Sequence, residues 1–582
     1  MPPRHELIIR GGLVVDGGGG APFEADVAVD DGVISAVGAI GGSGAEEIDA
    51  RDRLVTPGFV DIHTHYDGQI TWENRLAPSS GHGVTTVVMG NCGVGFAPAR
   101  ARDHELLIRL MEGVEDIPEA VMADGVPWTW ESFPQYLDAI EARPCDIDFA
   151  AQLPHNPLRV YVMGERGAAR EAPNATELGR MRRLTAEAIG VGALGVTTTR
   201  NLVHRFRTGE NVPSVLTETD EVLALAAGLR DIGAGVFQLL GETSEAPAAQ
   251  MEFIQAVAET SGRPVSFTLA QDPGREDGWR ETLALLERAN AAGHAIRGQV
   301  LPRPIGMLMG LELSLHPFAL KPSYRAIADL PLAAKVAAMA DPDLRRRLIT
   351  EAAEDPNPIL LYIASQTDWL FVLGDPPNYN PAAGDSIAAQ ARDQGREPME
   401  VIYDALLARD GREILYFPAA NRSGERFEDA GAELIRAPHT ILGLGDGGAH
   451  YGIICDASYP TYLMTYWTGH PDPARRISHA EAVRMLARDP ARAVGLGDRG
   501  EIAPGMKADI NVIDPDRLRL HAPRPRFDLP AGGRRLTQTA DGYEATLVSG
   551  VITYRRGEAS GALPGRLVRG ARPGPASGEK RS

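Results

Sequence analysis

Only three of the 582 residues are cysteine, Cys92, Cys145 and Cys455, too few for a disulfide framework. No basic-then-apolar leader precedes Glu6-Leu7-Ile8-Ile9, so the expected setting is reduced and cytoplasmic. No apolar run approaches the roughly 20 residues that span a bilayer, which argues against a membrane partner. Positive charge is short as well. With 58 Lys+Arg against 78 Asp+Glu, the formal charge of -20 repels nucleic acid and anionic lipid surfaces. A small-molecule substrate and a homo-oligomer are the expected partners.

What is present is length and pattern. The chain is long enough for one large catalytic domain with smaller companions. Glu6–Asp16 and Ala25–Gly38 are β-rich, and the alternation returns in Gly505–Asp514 and Ala545–Tyr554. Both ends are therefore expected to build one β-sandwich, residues 1–56 with 499–558. Between them, eight short apolar strands alternate with helical stretches: Val55–Ile62, Thr85–Asn91, Ile147–Leu153, Ala193–Thr199, Gly235–Leu240, Pro264–Ala270, Ala295–Leu301 and Ile441–Gly445. Helical periodicity is clearest over Asn174–Ile189, Glu218–Ile232 and Arg275–Ala292. The pattern predicts an α/β fold, a TIM (β/α)8 barrel inserted in the sandwich, with barrel parts at 57–301 and 439–498. Residues 302–438 are too many for an ordinary connection and read as a partly helical lid. From about Ala559 the chain is rich in Gly, Pro and Arg, and 559–582 reads as a flexible tail.

Chemistry concentrates at the expected strand ends. Thr56-Pro57-Gly58-Phe59-Val60-Asp61-Ile62-His63-Thr64-His65 delivers two imidazoles one residue apart, and alternation on a strand turns both the same way. In a barrel the C-terminal strand ends carry the active site. Two such histidines could also cap a strand and bond loop carbonyls, but after Pro-Gly and an apolar run a shared cation is the preferred reading. The second strand ends in Met89-Gly90-Asn91-Cys92-Gly93, which brings a soft thiol to the same rim. The last runs Leu442-Gly443-Leu444-Gly445-Asp446-Gly447-Gly448-Ala449-His450, where an aspartate leaving a strand into Gly-Gly has by itself the form of a turn former.

The His63/His65 stretch resembles the first-strand signature of the amidohydrolase superfamily. Gly90-Asn91-Cys92-Gly93, in this order, resembles the N-acyl-D-amino-acid deacylase branch, whose cysteine binds the metal. The resemblance implies a metal set of His63, His65, Cys92 and Asp446, with Asp446 as the catalytic proton shuttle. Two departures accompany it. That branch places metal-binding histidines after strands five and six, where this chain has Phe237–Glu242 and Phe267–Gln271 without histidine; Thr197–Arg200, after strand four, also lacks a bridging lysine. One zinc ion per chain is the expectation. The branch also follows its aspartate with a carboxylate-binding arginine, and Tyr451–Pro460 contains none. Arg200 could receive a carboxylate instead, or the substrate could be a neutral amide. His155, His204 and His450 are further candidates for substrate contact, and the apolar Ile305–Leu315 segment could meet an acyl group.

The implied activity is zinc-dependent hydrolysis of an N-acyl amino acid or related linear amide. Ring opening of a cyclic amide or deamination remains open, as does a non-catalytic binding or scaffold role.

Overall fold

The computed structural model describes residues 4–575 apart from 243, 276 and 423–427. Eight strands with parallel partners make the barrel: β1 (Phe59–Asp61), β2 (Val84–Met89), β3 (Asp148–Ala151, continuing as Leu153–Pro154), β4 (Gly195–Thr199), β5 (Val236–Leu240), β6 (Val265–Thr268), β7 (Ile296–Val300) and β8 (Thr440–Leu442). Neighbours pair in this order from β1 to β8. Beyond the ends of β8 and β1, the Asp446 N–H donates to the His63 carbonyl at 3.0 Å and the His65 N–H to the Gly447 carbonyl at 2.8 Å, tying the last strand to the first. The strands carry fully buried β-branched and aliphatic residues because helices cover the outer face. Those helices include Ala175–Gly190, Thr219–Ile232, Pro247–Ser261 and Gly278–Ala291. The first starts at a capping box, with Asn174 accepting from the Glu177 N–H and Glu177 reaching back.

The first strand is shorter than the sequence predicts. Leu54–Pro57 leaves the barrel and pairs antiparallel with Ile510–Ile513. Pro57-Gly58 breaks the run, and Gly58 is needed because a Cβ there would lie 2.2 Å from the Thr85 hydroxyl. Leu54–Pro57 belongs to a nine-stranded sheet that joins both chain ends, Arg4–Pro57 with Ile510–Ala559. Its apolar core, including Ile9, Val27, Val55, Ile510, Val512 and Leu547, is separate from the barrel's.

One segment gains detail and one boundary needs correction. The segment 302–438 is a subdomain with a three-stranded antiparallel sheet, Ile305–Met309, Leu415–Ala420 and Phe371–Val372, and a core of Met309, Leu315, Phe318, Leu348, Ile402 and Leu406. Most of the apolar Ile305–Leu315 run is spent on that core. Residues 559–575 are not a frayed tail. Leu567 and Val568 are buried, the Phe149 N–H donates to the Arg566 carbonyl, and the Val568 N–H donates to the Phe149 carbonyl. Composition hides this because two apolar side chains and paired backbone suffice to seat an extended segment beside β3. Residues 576–582 lie outside the described residues. Among the described residues no helix is long and apolar enough to cross a membrane.

Candidate active site

The C-terminal ends of the barrel strands deliver His63 and His65 after β1, Cys92 after β2 and Asp446 after β8. His63 Nε2 lies 3.3 Å from Cys92 Sγ and 3.4 Å from Asp446 Oδ1, and His65 Nε2 lies 3.5 Å from the same carboxylate oxygen. One ligand atom each from His63, His65 and Cys92 fall within 4.8 Å of one another. Zinc bonded tetrahedrally to nitrogen, sulfur and oxygen sets its ligand atoms about 3.3–3.6 Å apart. The three measured separations match that spacing, so the residues fit a zinc ion.

Backbone geometry shows how tightly these groups are aimed. Cys92, Leu444, Asp446 and His450 all adopt left-handed φ, at 54°, 64°, 49° and 52°. Non-glycine residues held there cost roughly 1–3 kcal/mol each and cluster at functional sites. The Cys92 turn is pinned by its own N–H to Gln238 Oε1 (3.1 Å), by the Gly93 N–H to Thr197 Oγ1 (3.0 Å) and by Asn156 Nδ2 to the Gly93 carbonyl (2.8 Å). At the Asp446 turn, a Cβ on Gly448 would sit 2.8 Å from the His65 carbonyl. This glycine admits the close approach of β8 to β1.

Charge at the site calls for a cation. Burial pushes the His63 imidazole down to about 4 and leaves it neutral, with a lone pair to offer. Burial also opposes charge on His65, but Glu115 and Asp446 outweigh it and hold its pKa well above the ordinary value. Asp446 is raised by burial, yet the hydrogen bond from His65 and the nearby imidazoles keep it below the usual carboxylate range. Burial pushes the Cys92 thiol up to about 11; a thiolate there needs a positive partner.

Glu115 is the residue that the motifs miss. It ends the helix His104–Glu115 and sits fully buried, with Oε1 3.4 Å from His65 Nδ1 and Oε2 3.5 Å from His450 Nε2. Its backbone carbonyl also accepts from the His450 N–H. Burial raises its carboxyl to about 7. A glutamate at a helix end carries no spacing signal, so nothing in the sequence singles it out.

A cavity of about 110 Å³ opens on the cluster. His204 and His450 line it beside His63, His65, Cys92, Glu115 and Asp446, and Leu240, Thr268, Ile305 and Leu444 complete the lining. Leu240 and Thr268 stand at the ends of β5 and β6, the positions without histidine. Burial lowers His204 to about 3 and His450 to about 4.

Two candidates lie elsewhere. His155 is fully buried, with Nδ1 2.8 Å from Thr198 Oγ1 and Nε2 2.9 Å from Glu221 Oε1, so both ring nitrogens are engaged away from the cavity. Glu221 also binds Arg159. Arg200 stacks over the Phe253 ring at 4.4 Å and faces Glu245 at 3.5 Å. It is not among the residues lining the cavity.

Residues 46–554 match the model of the amidohydrolase family. N-acyl-D-glutamate deacylase of Alcaligenes xylosoxydans xylosoxydans is 27% identical, with 98% of this chain and 97% of that protein covered. N-acyl-D-aspartate deacylase of the same organism is 31% identical over 50% of this chain and 54% of its own length. Among solved structures, N-acyl-D-glutamate deacylase of Bordetella bronchiseptica complexed with zinc and a phosphonate inhibitor superposes with a TM-score of 0.65 at 22% identity, covering 97% of this chain and all of that one. D-aminoacylase gives a TM-score of 0.64 at 21% identity over 98% of this chain and all of its own. The family match takes in all eight barrel strands and every residue of the cluster: this chain belongs to the amidohydrolase family.

Proposed function

We propose that the protein hydrolyses the C–N bond of a linear N-acyl amide, with one zinc ion held by His63, His65, Cys92 and Asp446. The observation that carries this reading is the convergence of two imidazoles, a thiol and a carboxylate at zinc-like separations on three strand ends. The deacylase relatives and the zinc-bound structure support it. Zinc, when bound, supplies Lewis acidity toward water and the scissile carbonyl.

The chain's own residues do the rest. Asp446 Oδ1 faces both imidazoles as a carboxylate, placed to take a proton from the attacking water and pass it to the departing nitrogen. That transfer is required because an amine anion is too poor a leaving group. His450 and His204 face the cavity as neutral imidazoles and are placed to donate to the developing oxyanion. Leu240, Ile305 and Leu444 supply an apolar wall for part of the substrate.

A panel of N-acyl compounds and cyclic amides, assayed with zinc-loaded and chelator-stripped protein, tests the reading. A free acid plus an amine is the expected product pair. Ammonia or a ring-opened single product would replace the linear amide with another reaction of the same site, and no zinc uptake would leave a binding role.

A further inference from the structure

One arginine is buried where the 302–438 subdomain leaves the barrel. Arg303 lies just past the end of β7 and just before Ile305, which lines the cavity. Its side chain is 1% exposed. Nη2 donates to the Cys455 carbonyl at 3.0 Å and to Asp456 Oδ1 at 2.6 Å. The guanidinium lies 3.7 Å from the ring centre of Tyr379, a residue of the subdomain, and 5.8 Å from that of Tyr462. Nε, Nη1 and Asp456 Oδ2 are buried without a hydrogen-bond partner.

An ion pair buried with so many unmatched atoms adds little net stability, because desolvation consumes the Coulomb gain and apolar residues of similar size often serve as well. What it supplies is direction. Cys455 and Asp456 end the strip that leaves β8 and carries Asp446 and His450. That strip is strained, since Leu444, Asp446 and His450 all hold left-handed φ, and such residues persist only where their surroundings over-determine them. Its near end is tied to β1 by the Asp446 N–H on the His63 carbonyl, and its middle by the Gly452 N–H on Asp116 Oδ2 at 2.9 Å. Arg303 ties the far end. Tyr379 covers this tie and is itself held, its hydroxyl accepting from Gln538 Nε2 at 3.1 Å. Moving Tyr379 away would let water reach the guanidinium and weaken its grip.

We propose that Arg303 is a positioning residue for the reaction. Through Cys455 and Asp456 it holds the strip 446–456 in the form that presents Asp446 and His450 to the cavity, and through Tyr379 it makes that form depend on the seating of the 302–438 subdomain. This rests on the hydrolytic reading above.

The test uses zinc-loaded full-length protein and the N-acyl compound of the panel that the wild type hydrolyses fastest, with rates expressed per bound zinc. Arg303→Met leaves Asp456 buried without a counter-charge, so the thermal midpoint is expected to fall together with kcat. In Arg303→Met/Asp456→Leu an apolar pair replaces the charged one. The midpoint is expected to return toward the wild type, while kcat stays at least about tenfold low and KM moves less than about threefold. Recovery of both midpoint and kcat would make the pair a packing element and overturn the proposal. If the double variant does not fold, Arg303→Lys carries the test. Lysine keeps the charge beside Asp456 but has no planar fork to lay on Tyr379. It is expected to hold the midpoint and lose kcat, and wild-type kcat in this variant overturns the proposal.

Hydrogen–deuterium exchange needs no substrate and separates this proposal from the hydrolytic reading. In Arg303→Lys, amides of 446–456 and 371–380 are expected to exchange at least about threefold faster while the barrel strands are unchanged. Unchanged exchange in the two segments, or faster exchange throughout, overturns the proposal. If no N-acyl compound is hydrolysed, the hydrolytic reading fails, and the exchange pattern alone decides whether Arg303 orders the strip.

Discussion

His63 Nδ1 lies 2.6 Å from Gln299 Oε1, and Gln299 Nε2 donates in turn to Ser266 Oγ at 2.9 Å. An amide oxygen only accepts, so the ring proton sits on Nδ1 and the Nε2 lone pair is left pointing at Cys92 and Asp446. Gln299 on β7 and Ser266 on β6 therefore set the tautomer of a ligand on β1. Gln299→Leu is expected to weaken zinc binding about 10–100-fold, read by competition with a chelator. Gln299→Glu keeps an acceptor and should hold zinc far better than Leu. Equal zinc affinity in the wild type and the Leu variant would remove Gln299 from this role.

Purified, zinc-supplemented protein is expected to carry about one tightly held ion per chain, because Leu240 and Thr268 occupy the strand ends where further histidines would stand. Elemental analysis that finds two such ions contradicts the single-ion set.

Cys92→Ser retains size but replaces a soft thiolate with a hydroxyl that stays protonated, so zinc occupancy and activity are expected to fall together. Cys92→Ala should behave similarly. If Cys92 merely packs, Ala is tolerated better than Ser, which would bury a hydroxyl. Unchanged occupancy in both variants takes Cys92 out of the site.

Asp446→Asn is expected to lose roughly 10²–10⁴-fold in turnover, the usual worth of general acid–base catalysis, while most of the zinc is retained. Near-normal turnover would return Asp446 to the role of a turn former.

His155→Ala should leave zinc content unchanged and lower the thermal midpoint, because it strips a partner from the buried Glu221–Arg159 pair; such losses run to about 3–5 kcal/mol. Burial raises the Glu221 carboxyl, but His155 and Arg159 outweigh it and hold it below its ordinary pKa. That stabilisation is present above the ordinary carboxylate pKa and is lost as pH falls through the depressed value. The acid-side decline of the melting temperature should therefore be shallower in the variant. A drop in zinc content without a change in stability would reverse the assignment.

Local chemistry made the strand pattern, His63/His65, Cys92 and Asp446 legible in the sequence. Alternation fixes which way a strand residue points, and Pro-Gly and Asp-Gly-Gly mark where strands must stop, so these groups announce themselves within about ten residues. The joining of both chain ends was legible for the same reason, since β alternation at each end needs a partner. Glu115, Gln299 and the fates of His155 and Arg200 depend on groups far away in the chain. Glu115 reaches His450 across more than half of the sequence, Gln299 meets His63 only when β7 and β1 face one barrel interior, and His155 is claimed by Glu221 from another helix. Residues 559–575 likewise find their place only because β3 offers backbone partners. A sequence window carries local conformational preference, whereas a buried hydrogen bond depends on which distant donor the closed barrel brings within 3 Å, and only the tertiary structure decided that.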